Sequence, residues 1–251
     1  MRDYFVYDGV SSANFNAYVA SSNFFASPAE SVKRESVPGR NGDVFISNDR
    51  YENLKLEVMT YIPENAAENM KYLREHLMSR KNYCRYEESL NPDYFRMARF
   101  LGPFKPDPID RWRGGVELTF DCKPQMYLKA GAVEKEYIGA SYPNGFTLYN
   151  PYKFAALPII RVGTGGGTVT INGNTITVAP YDGPLPDNLP FLPHTTIDCE
   201  RKDCYFKYST GILNLNKYVS FSSDFPELPA GESEVTFTAA WIMMAPRWWT
   251  I

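Results

Sequence analysis

Histidine is scarce in this sequence, which has only His76 and His194 in 251 residues. The pair H-E-x-x-H of zinc hydrolases and the G-x-S-x-G turn of serine hydrolases are both missing. A Ser–His or Cys–His couple stays open, but no motif points to one. We therefore predict that the protein is not an enzyme and uses no cofactor.

Cysteine is also scarce, and its spacing argues against a metal site. The four cysteines form no C-x-x-C pair, although Cys199 and Cys204 bracket the segment ERKD. Only two histidines, His76 and His194, exist to complete a zinc site beside them. We expect buried or idle thiols and no bound metal.

The sequence has no surplus of positive charge and no long apolar run. It has 26 Lys and Arg against 29 Asp and Glu, a net charge of −3, which argues against a protein that grips DNA phosphates. No stretch approaches the roughly 20 apolar residues of a membrane span. Asp3 and Asp8 stand where a signal peptide would have its apolar run, so we expect synthesis and folding in a cytoplasm.

Aromatic, proline and glycine residues are abundant, which favours β-sheet with many turns. Aromatics make up 15% of the chain, and there are 19 Pro and 17 Gly. The alternation from Leu54 to Ile62 predicts a half-buried strand, and the turn SND before it predicts a hairpin over about 43–62. Val116, Leu118, Phe120 and Cys122 predict a second strand, closed by Pro124.

One segment has helical periodicity, about residues 63–79. Ala66, Met70, Leu73 and Leu77 form one apolar stripe at helical spacing. Pro63 suits the first turn, and basic residues gather at the far end of the segment. We predict a single clear α-helix here.

A second β region begins near Pro158. Asn172-Gly173 lies between two alternating runs and predicts a tight hairpin. Two further strands are expected at 195–199 and 204–208, around the turn ERKD. Short strands separated by regular turns predict a β-sandwich.

Two glycine-rich stretches, VPGRNGDVF at 37–45 and GTGGGT at 163–168, raise the question of a phosphate loop. Such a loop lies between a strand and a helix N-terminus, but both stretches are followed by strand patterns. We interpret 163–168 as a hairpin loop.

Aromatic side chains form two groups, the tryptophans Trp241, Trp248 and Trp249 and a belt between Tyr137 and Phe154. Such groups stack on sugars, fill protein interfaces or pack in a core. Core packing is the ordinary reading, and the other two stay open.

The order of several segments resembles the distal tail protein (Dit) family of long-tailed, non-contractile bacteriophages. The similar pieces cover nearly the whole chain: YDGVSSANFNAYV, VPGRNGDVFISNDRYENLKLEV, ENAAENMKYLREHL, GGVELTFDCKPQMYL, PIIRVGTGGGTVTINGNTITV, TTIDCERKDCYF, FPELPAGESEVTF and APRWWTI. No single piece is decisive, but their order and spacing are specific.

The resemblance implies a mainly β fold in two domains. Residues 1–130 would be a ring-forming, tail-tube-like β-sandwich with one α-helix and an extended hairpin arm at about 37–62. Residues 131–251 would be a galectin-like β-sandwich. Six copies would form a ring, a homo-hexamer that joins the tail tube protein to the tail-tip or baseplate proteins, with a receptor-binding protein as a further partner. DNA would pass through the lumen without specific binding, and the protein would reside in the virion tail tip.

The resemblance also suggests where contacts lie. Pro38, Gly39, Arg40, Asn41 and Gly42 would begin the inter-subunit arm, with Arg40 reaching an acidic group on the next subunit. In the C-terminal half His194 has no Asn or Arg at strand spacing after it, so a galectin sugar site is not expected. Trp248 and Trp249 are candidates for a docking or sugar surface. The alternative function is a carbohydrate-binding adsorption module that acts through the C-terminal β-sandwich.

Overall fold

A computed structural model describes residues 2–107, 113–186, 189 and 191–251. The chain divides into two compact units, Met1–Met126 with Ile251, and Tyr127–Thr250. Within the described residues there is one α-helix among many antiparallel strands, so the predicted mainly β fold class is confirmed. No helix in the described part is both long and apolar enough to cross a bilayer.

Among its described residues, the first unit holds ten strands and the helix α1. The strands are β1 (Phe5–Tyr7), β2 (Val10–Ser11), β3 (Tyr18–Ser22), β4 (Glu30–Glu35), β5 (Val44–Tyr51), β6 (Leu54–Ile62), β7 (Cys84–Glu88), β8 (Asn91–Phe100), β9 (Lys105–Pro106) and β10 (Gly114–Leu128), and α1 is Ala66–Ser79. The main sheet has the order β2-β1-β7-β8-β10-β6-β3, and β9 also pairs with β10.

The long antiparallel pair β6–β10 forms the middle of this sheet. Alternate residues of β6 are buried, and they lie opposite the buried residues of β10, as in the pairs Leu56↔Phe120 and Val58↔Leu118. This is the period-two pattern that the sequence predicted. Pro124 does not end β10 as expected, because the pairing with β6 already stops at Cys122↔Leu54, so the missing N–H of Pro124 breaks no bond to β6.

The predicted helix is confirmed, but it begins later than residue 63. Asn65 has a left-handed backbone with φ of 48°, which a helical residue does not adopt, and α1 begins at Ala66. The amide of Asn69 donates the first helical hydrogen bond to the Asn65 carbonyl at 3.0 Å. The apolar stripe is buried as predicted.

The predicted hairpin over 43–62 is wrong in its pairing. Strand β5 runs through the expected turn SND and pairs with β4, which precedes it, rather than with β6. The reason is burial. Strand β6 has one apolar face and is held between β10 and β3, whereas β5 is exposed along most of its length.

The second unit is a sandwich of two antiparallel sheets. Its strands are β11 (Lys135–Ile138), β12 (Phe146–Asn150), β13 (Ile159–Gly163), β14 (Gly167–Ile171), β15 (Asn174–Val178), β16 (His194–Asp198), β17 (Asp203–Lys207), β18 (Ile212–Asn214), β19 (Val219–Phe221), β20 (Gly231–Phe237), β21 (Trp241–Ala245) and β22 (Trp249–Thr250). The sheet orders are β11-β21-β13-β16-β17-β18 and β12-β20-β14-β15-β19, and β22 is in neither sheet but pairs with β10.

Residues of both sheets share one core in this unit. Ile160 and Ile242 from the first sheet are fully buried in the same cluster as Val169 and Val235 from the second. The hairpin at Asn172-Gly173 is confirmed, since Ile171 pairs with Asn174 and both turn residues have positive φ. The expected hairpin around ERKD is also confirmed, with the pair Asp198↔Asp203 closing it.

A buried arginine ties three segments of the first unit together. Arg96 on β8 is 0% exposed, and its guanidinium donates to the carbonyl oxygens of Phe24 (2.9 Å), Ala26 (3.0 Å) and Pro124 (3.2 Å). Burial lowers the pKa of Arg96 from its usual value. The fork shape of guanidinium suits three separate acceptors, which a single ammonium cannot reach together.

We expect Arg96→Lys to lower the free energy of unfolding of the first unit by about 2 to 4 kcal/mol, because buried carbonyls lose their donors. Urea unfolding followed by circular dichroism measures the change. Arg74→Lys, at an exposed position on α1, is the control and should stay within about 0.5 kcal/mol of the parent. Equal effects of the two substitutions would contradict the role of Arg96.

Candidate inter-subunit arm

Strands β4 and β5 form a two-stranded sheet separate from the main one, and we call residues 30–51 the arm. The strands pair as Glu35↔Val44, Arg34↔Phe45 and Lys33↔Ile46. The connecting loop, 36–43, therefore lies at the end of the arm. It contains all five predicted contact residues, which are exposed: Pro38, Gly39, Arg40, Asn41 and Gly42.

The loop is a turn, as its composition indicates. The amide of Arg40 donates to the carbonyl of Val37 at 3.1 Å, and the intervening Gly39 has φ of 80°. The Arg40 residue itself is exposed. Arg40 is thus available to a group outside the arm.

The arm exposes apolar side chains. Phe45 is 61% exposed, Ile46 is 46% exposed and Val37 is 44% exposed. The guanidinium of Arg34 lies 5.3 Å from the centre of the Phe45 ring and covers part of it. An isolated two-stranded sheet is marginally stable in water, and its outer edges leave backbone groups unpaired. These features are typical of a surface that another chain completes.

The chain is anchored on both sides of the base of the arm, before β4 and after β5. At its base Asn48 donates to the hydroxyl of Ser31 at 3.1 Å, and the amide of Glu52 donates to the Ala29 carbonyl at 2.8 Å. Just upstream, Arg96 holds the carbonyls of Phe24 and Ala26. Just downstream, β6 enters the main sheet at Leu54. The base of the arm is therefore fixed by the core of the first unit.

The C-terminal tryptophans do not offer the exposed rings that a docking or sugar surface needs. Trp248 is only 8% exposed and belongs to the core of the second unit, where it lies so close to Gly131 that a Cβ there would meet its ring at 2.7 Å. Trp249 is half-buried, stacks on Phe154 at 4.6 Å and donates from its indole nitrogen to the Ala155 carbonyl at 2.9 Å. Both rings therefore contribute to packing in the second unit, and a docking or sugar surface at Trp248 and Trp249 stays a prediction.

The final strand, β22, lies in the second unit, Tyr127–Thr250, and pairs with β10. The amide of Leu128, at the end of β10 and also in this unit, donates to the Trp248 carbonyl at 2.9 Å. The sequence could not decide this point, because an aromatic residue suits a core and a surface equally.

The glycine run 163–168 is a loop between strands. Strand β13 ends at Gly163 and β14 begins at Gly167, so no helix N-terminus faces the loop. A strand rather than a helix follows the run, as the sequence indicated, but the predicted hairpin is wrong, because β13 and β14 lie in different sheets and do not pair with each other.

The thiols are poor nucleophiles in this fold. Burial raises the pKa of Cys122 and of Cys204 to about 12, and it raises the pKa of Cys199 as well. All three are therefore protonated at neutral pH. Among the described residues, no group of three His, Cys, Asp or Glu side chains is placed to hold a metal ion.

The two histidines are held in apolar surroundings. Burial lowers the pKa of His76, whose Nε2 lies 3.0 Å from the Tyr7 carbonyl oxygen and whose ring lies against Tyr7 and Phe15. Burial, helped by the charge of Arg161, lowers the pKa of His194 from 6.5 to about 4. Both are neutral at pH 7.

No protein-family model and no curated protein sequence matches the chain. Solved structures do. The Dit protein (gp 19.1) of phage SPP1, described as a paradigm of the hub adsorption apparatus of phages that infect Gram-positive bacteria, matches with a TM-score of 0.66. Its sequence is 14% identical, and the match covers 97% of this chain and 98% of that chain.

Two structures of the phage p2 baseplate in its activated conformation also match. The strontium form gives a TM-score of 0.57 at 10% identity, over 97% of this chain and 98% of that chain. The calcium form gives 0.54 at 9% identity, over 97% of both chains.

The fold is therefore one that phage adsorption hubs and baseplates use. More particularly it is the Dit fold, and it extends over nearly the whole chain. The resemblance to the Dit family that the sequence showed is therefore confirmed for the fold.

Because His194 has a lower pKa in the folded state than in the unfolded state, the unfolded chain binds more protons between pH 6.5 and about 4. Stability should consequently fall as the pH drops through this window. After discounting for partial exposure, we expect about 1 to 2 kcal/mol from this group. Urea unfolding at pH 7 and pH 4.5 should show a smaller loss for His194→Gln than for the parent chain.

His76→Gln is the comparison variant: it removes the lowered pKa of His76 but retains the large shift of His194, so it should lose more stability between the two pH values than His194→Gln does. If the parent and His194→Gln lose equal stability between the two pH values, His194 is not a buried neutral group.

Proposed function

We propose that the protein is a structural component of a phage tail tip, a distal tail protein without catalytic activity. The observation that carries this proposal is the match of both units together, over 97% of the chain, to the Dit fold. A fold shared by one unit alone would be weak support, since common β-sandwiches host many functions.

In this proposal six copies form a closed ring that joins the tail tube protein to the tail-tip or baseplate proteins. The region 1–130 forms the ring, and 131–251 is a galectin-like β-sandwich that faces further partners, including a receptor-binding protein. The protein is synthesised in the host cytoplasm and resides in the virion tail tip.

The arm supports ring formation on physical grounds. A closed ring repeats one heterologous contact, in which a surface of one subunit fits a different surface of the next. The exposed Phe45 and Ile46 provide apolar area for such a contact, and the free strand edges can add to a neighbouring sheet. Arg40 at the tip then meets an acidic group of the neighbour.

The charge balance suits a lumen through which DNA passes without specific binding. Tight phosphate binding needs a surplus of Lys and Arg, whereas this chain has a net charge of −3. The protonated thiols and neutral histidines described above agree with a non-catalytic role.

Native mass measured over a range of protein concentrations tests the ring. We expect a species of about 170 kDa, six times the chain mass of 28.6 kDa. A species of 28.6 kDa at every concentration would contradict self-assembly of the purified protein.

Charge introduced on the arm tests the proposed contact. Ile46→Asp places a carboxylate in apolar contact area, so it should weaken assembly at least tenfold, an effect of about 1.4 kcal/mol or more per contact. Arg40→Glu should weaken assembly as well, because it puts two like charges together. Sedimentation velocity at several concentrations measures both.

Leu90→Asp is the matched control, because Leu90 is 54% exposed, against 46% for Ile46, and lies in the β7–β8 turn of the same unit. It should assemble like the parent. Unchanged assembly of Ile46→Asp would exclude the arm from the contact, and unchanged assembly of Arg40→Glu would exclude that side chain.

A further inference from the structure

A cavity of about 430 Å³ lies at one end of the sandwich in the second unit. Its floor is the glycine loop, 163–166, and its wall includes the described residues Tyr181, Asp182, Phe191 and His194. The volume is within the range of sites that bind small molecules. Neither the arm nor the proposed ring uses this cavity.

The floor of the cavity is built on two closely packed loops. The hydroxyl of Thr164 lies 3.1 Å from the Leu192 carbonyl oxygen and 3.0 Å from the Pro193 carbonyl oxygen, so it ties the glycine loop to the start of β16. Gly166 lies so close to β15 that a Cβ would meet the Val178 carbonyl oxygen at 2.2 Å. The glycine run, which is not a phosphate loop, thus has a role in shaping the cavity.

The wall combines apolar rings with hydrogen-bonding groups. Phe191 is 55% exposed at the cavity, and Tyr181 packs against Tyr218 at 4.9 Å with its hydroxyl bonded to the Pro184 carbonyl. Asp182 accepts a hydrogen bond of 2.7 Å from the Tyr218 hydroxyl at one carboxylate oxygen. Its second oxygen can accept from a ligand.

His194 adds a second polar group. Its ring is positioned by an edge contact with Phe206 at 5.2 Å, and its low pKa keeps it neutral. A neutral imidazole offers one donor and one acceptor.

The charge of the lining decides between ligand classes. Among the described lining residues none is Lys or Arg, and Asp182 is the one carboxylate. The one charge in the described lining is negative, which disfavours a phosphate, sulfate or other anion there. The positive charges that act on this lining, Arg161 on His194 and Lys217 on Asp182, belong to side chains outside it. A neutral molecule rich in hydroxyl donors, with an apolar face for the aromatic rings, fits this set.

We propose that this cavity binds a neutral saccharide, with the sugar face on Phe191 and Tyr181 and its hydroxyl groups on Asp182 and His194. The proposal does not depend on the hexameric ring. It gives the alternative carbohydrate-binding function a site apart from Trp248, which is buried, and Trp249, which is half-buried.

The test begins with a glycan array of neutral and acidic oligosaccharides probed with the full chain. The neutral oligosaccharide with the strongest signal is then titrated by isothermal calorimetry. Phe191→Ala should weaken its binding about tenfold through the loss of one aromatic contact. Asp182→Asn, which leaves the Phe191 contact in place, should weaken binding as well.

Tyr149→Ala is the matched control, since Tyr149 on β12 is an aromatic residue of the same unit, 65% exposed and outside the cavity. It should bind like the parent. Thermal unfolding and native mass of Phe191→Ala should match the parent, which separates a failure of sugar binding from a failure of the fold or ring.

Three results would overturn the proposal. The first is no calorimetric signal from any neutral saccharide at millimolar concentration. The second is equal affinity of the parent and Phe191→Ala for the saccharide that binds. The third is binding of an oligolysine peptide in place of saccharides, which would assign Asp182 and the aromatic rings to a cationic peptide.

Discussion

The first unit depends on the burial of one face of β6. Residues from Leu54 to Ile62 alternate between core and solvent, and the core-facing set is covered only when β6 lies between β10 and β3. Both edges of β6 are then used, so β5 has no place beside it. Strand β5 must pair elsewhere, and it pairs with the polar strand β4, its other neighbour along the chain. The arm is thus separate from the main sheet because β10 and β3 already occupy both edges of β6.

This constraint also explains why the arm can be exposed and still be well positioned. The guanidinium of Arg96 donates hydrogen bonds to the carbonyl oxygens of Phe24 and Ala26, which precede β4, and to that of Pro124 in β10. Desolvating a guanidinium is costly, so it is found buried only where it makes several hydrogen bonds. Here the bonds fix the chain a few residues before the arm begins, so the stability of the core and the placement of the arm are linked.

The sequence predicts those parts of the molecule that local periodicity determines. The strand faces of β6 and β10, the stripe of α1 and the turn at Asn172-Gly173 each follow from a few neighbouring residues. The partner of β5 could not be predicted in this way, because ESVKRE in β4 has no apolar alternation to mark it as a strand. Nor could the core position of Trp248, since it depends on contacts with Gly131 from a distant segment.

The cavity is the clearest case of a feature hidden from sequence reasoning. Its lining comes from three separate segments, around Gly165, Tyr181 and Phe191, and none of these carries a motif. The glycine run lacks the following helix of a phosphate loop, yet the same small residues allow the close approach to Val178 that shapes the floor. Motifs of basic residues that bind anions do not mark this cavity, because its described lining has no Lys or Arg. Because the described lining has one carboxylate and no basic side chain, its selectivity must come from hydrogen-bond geometry and aromatic faces rather than from charge.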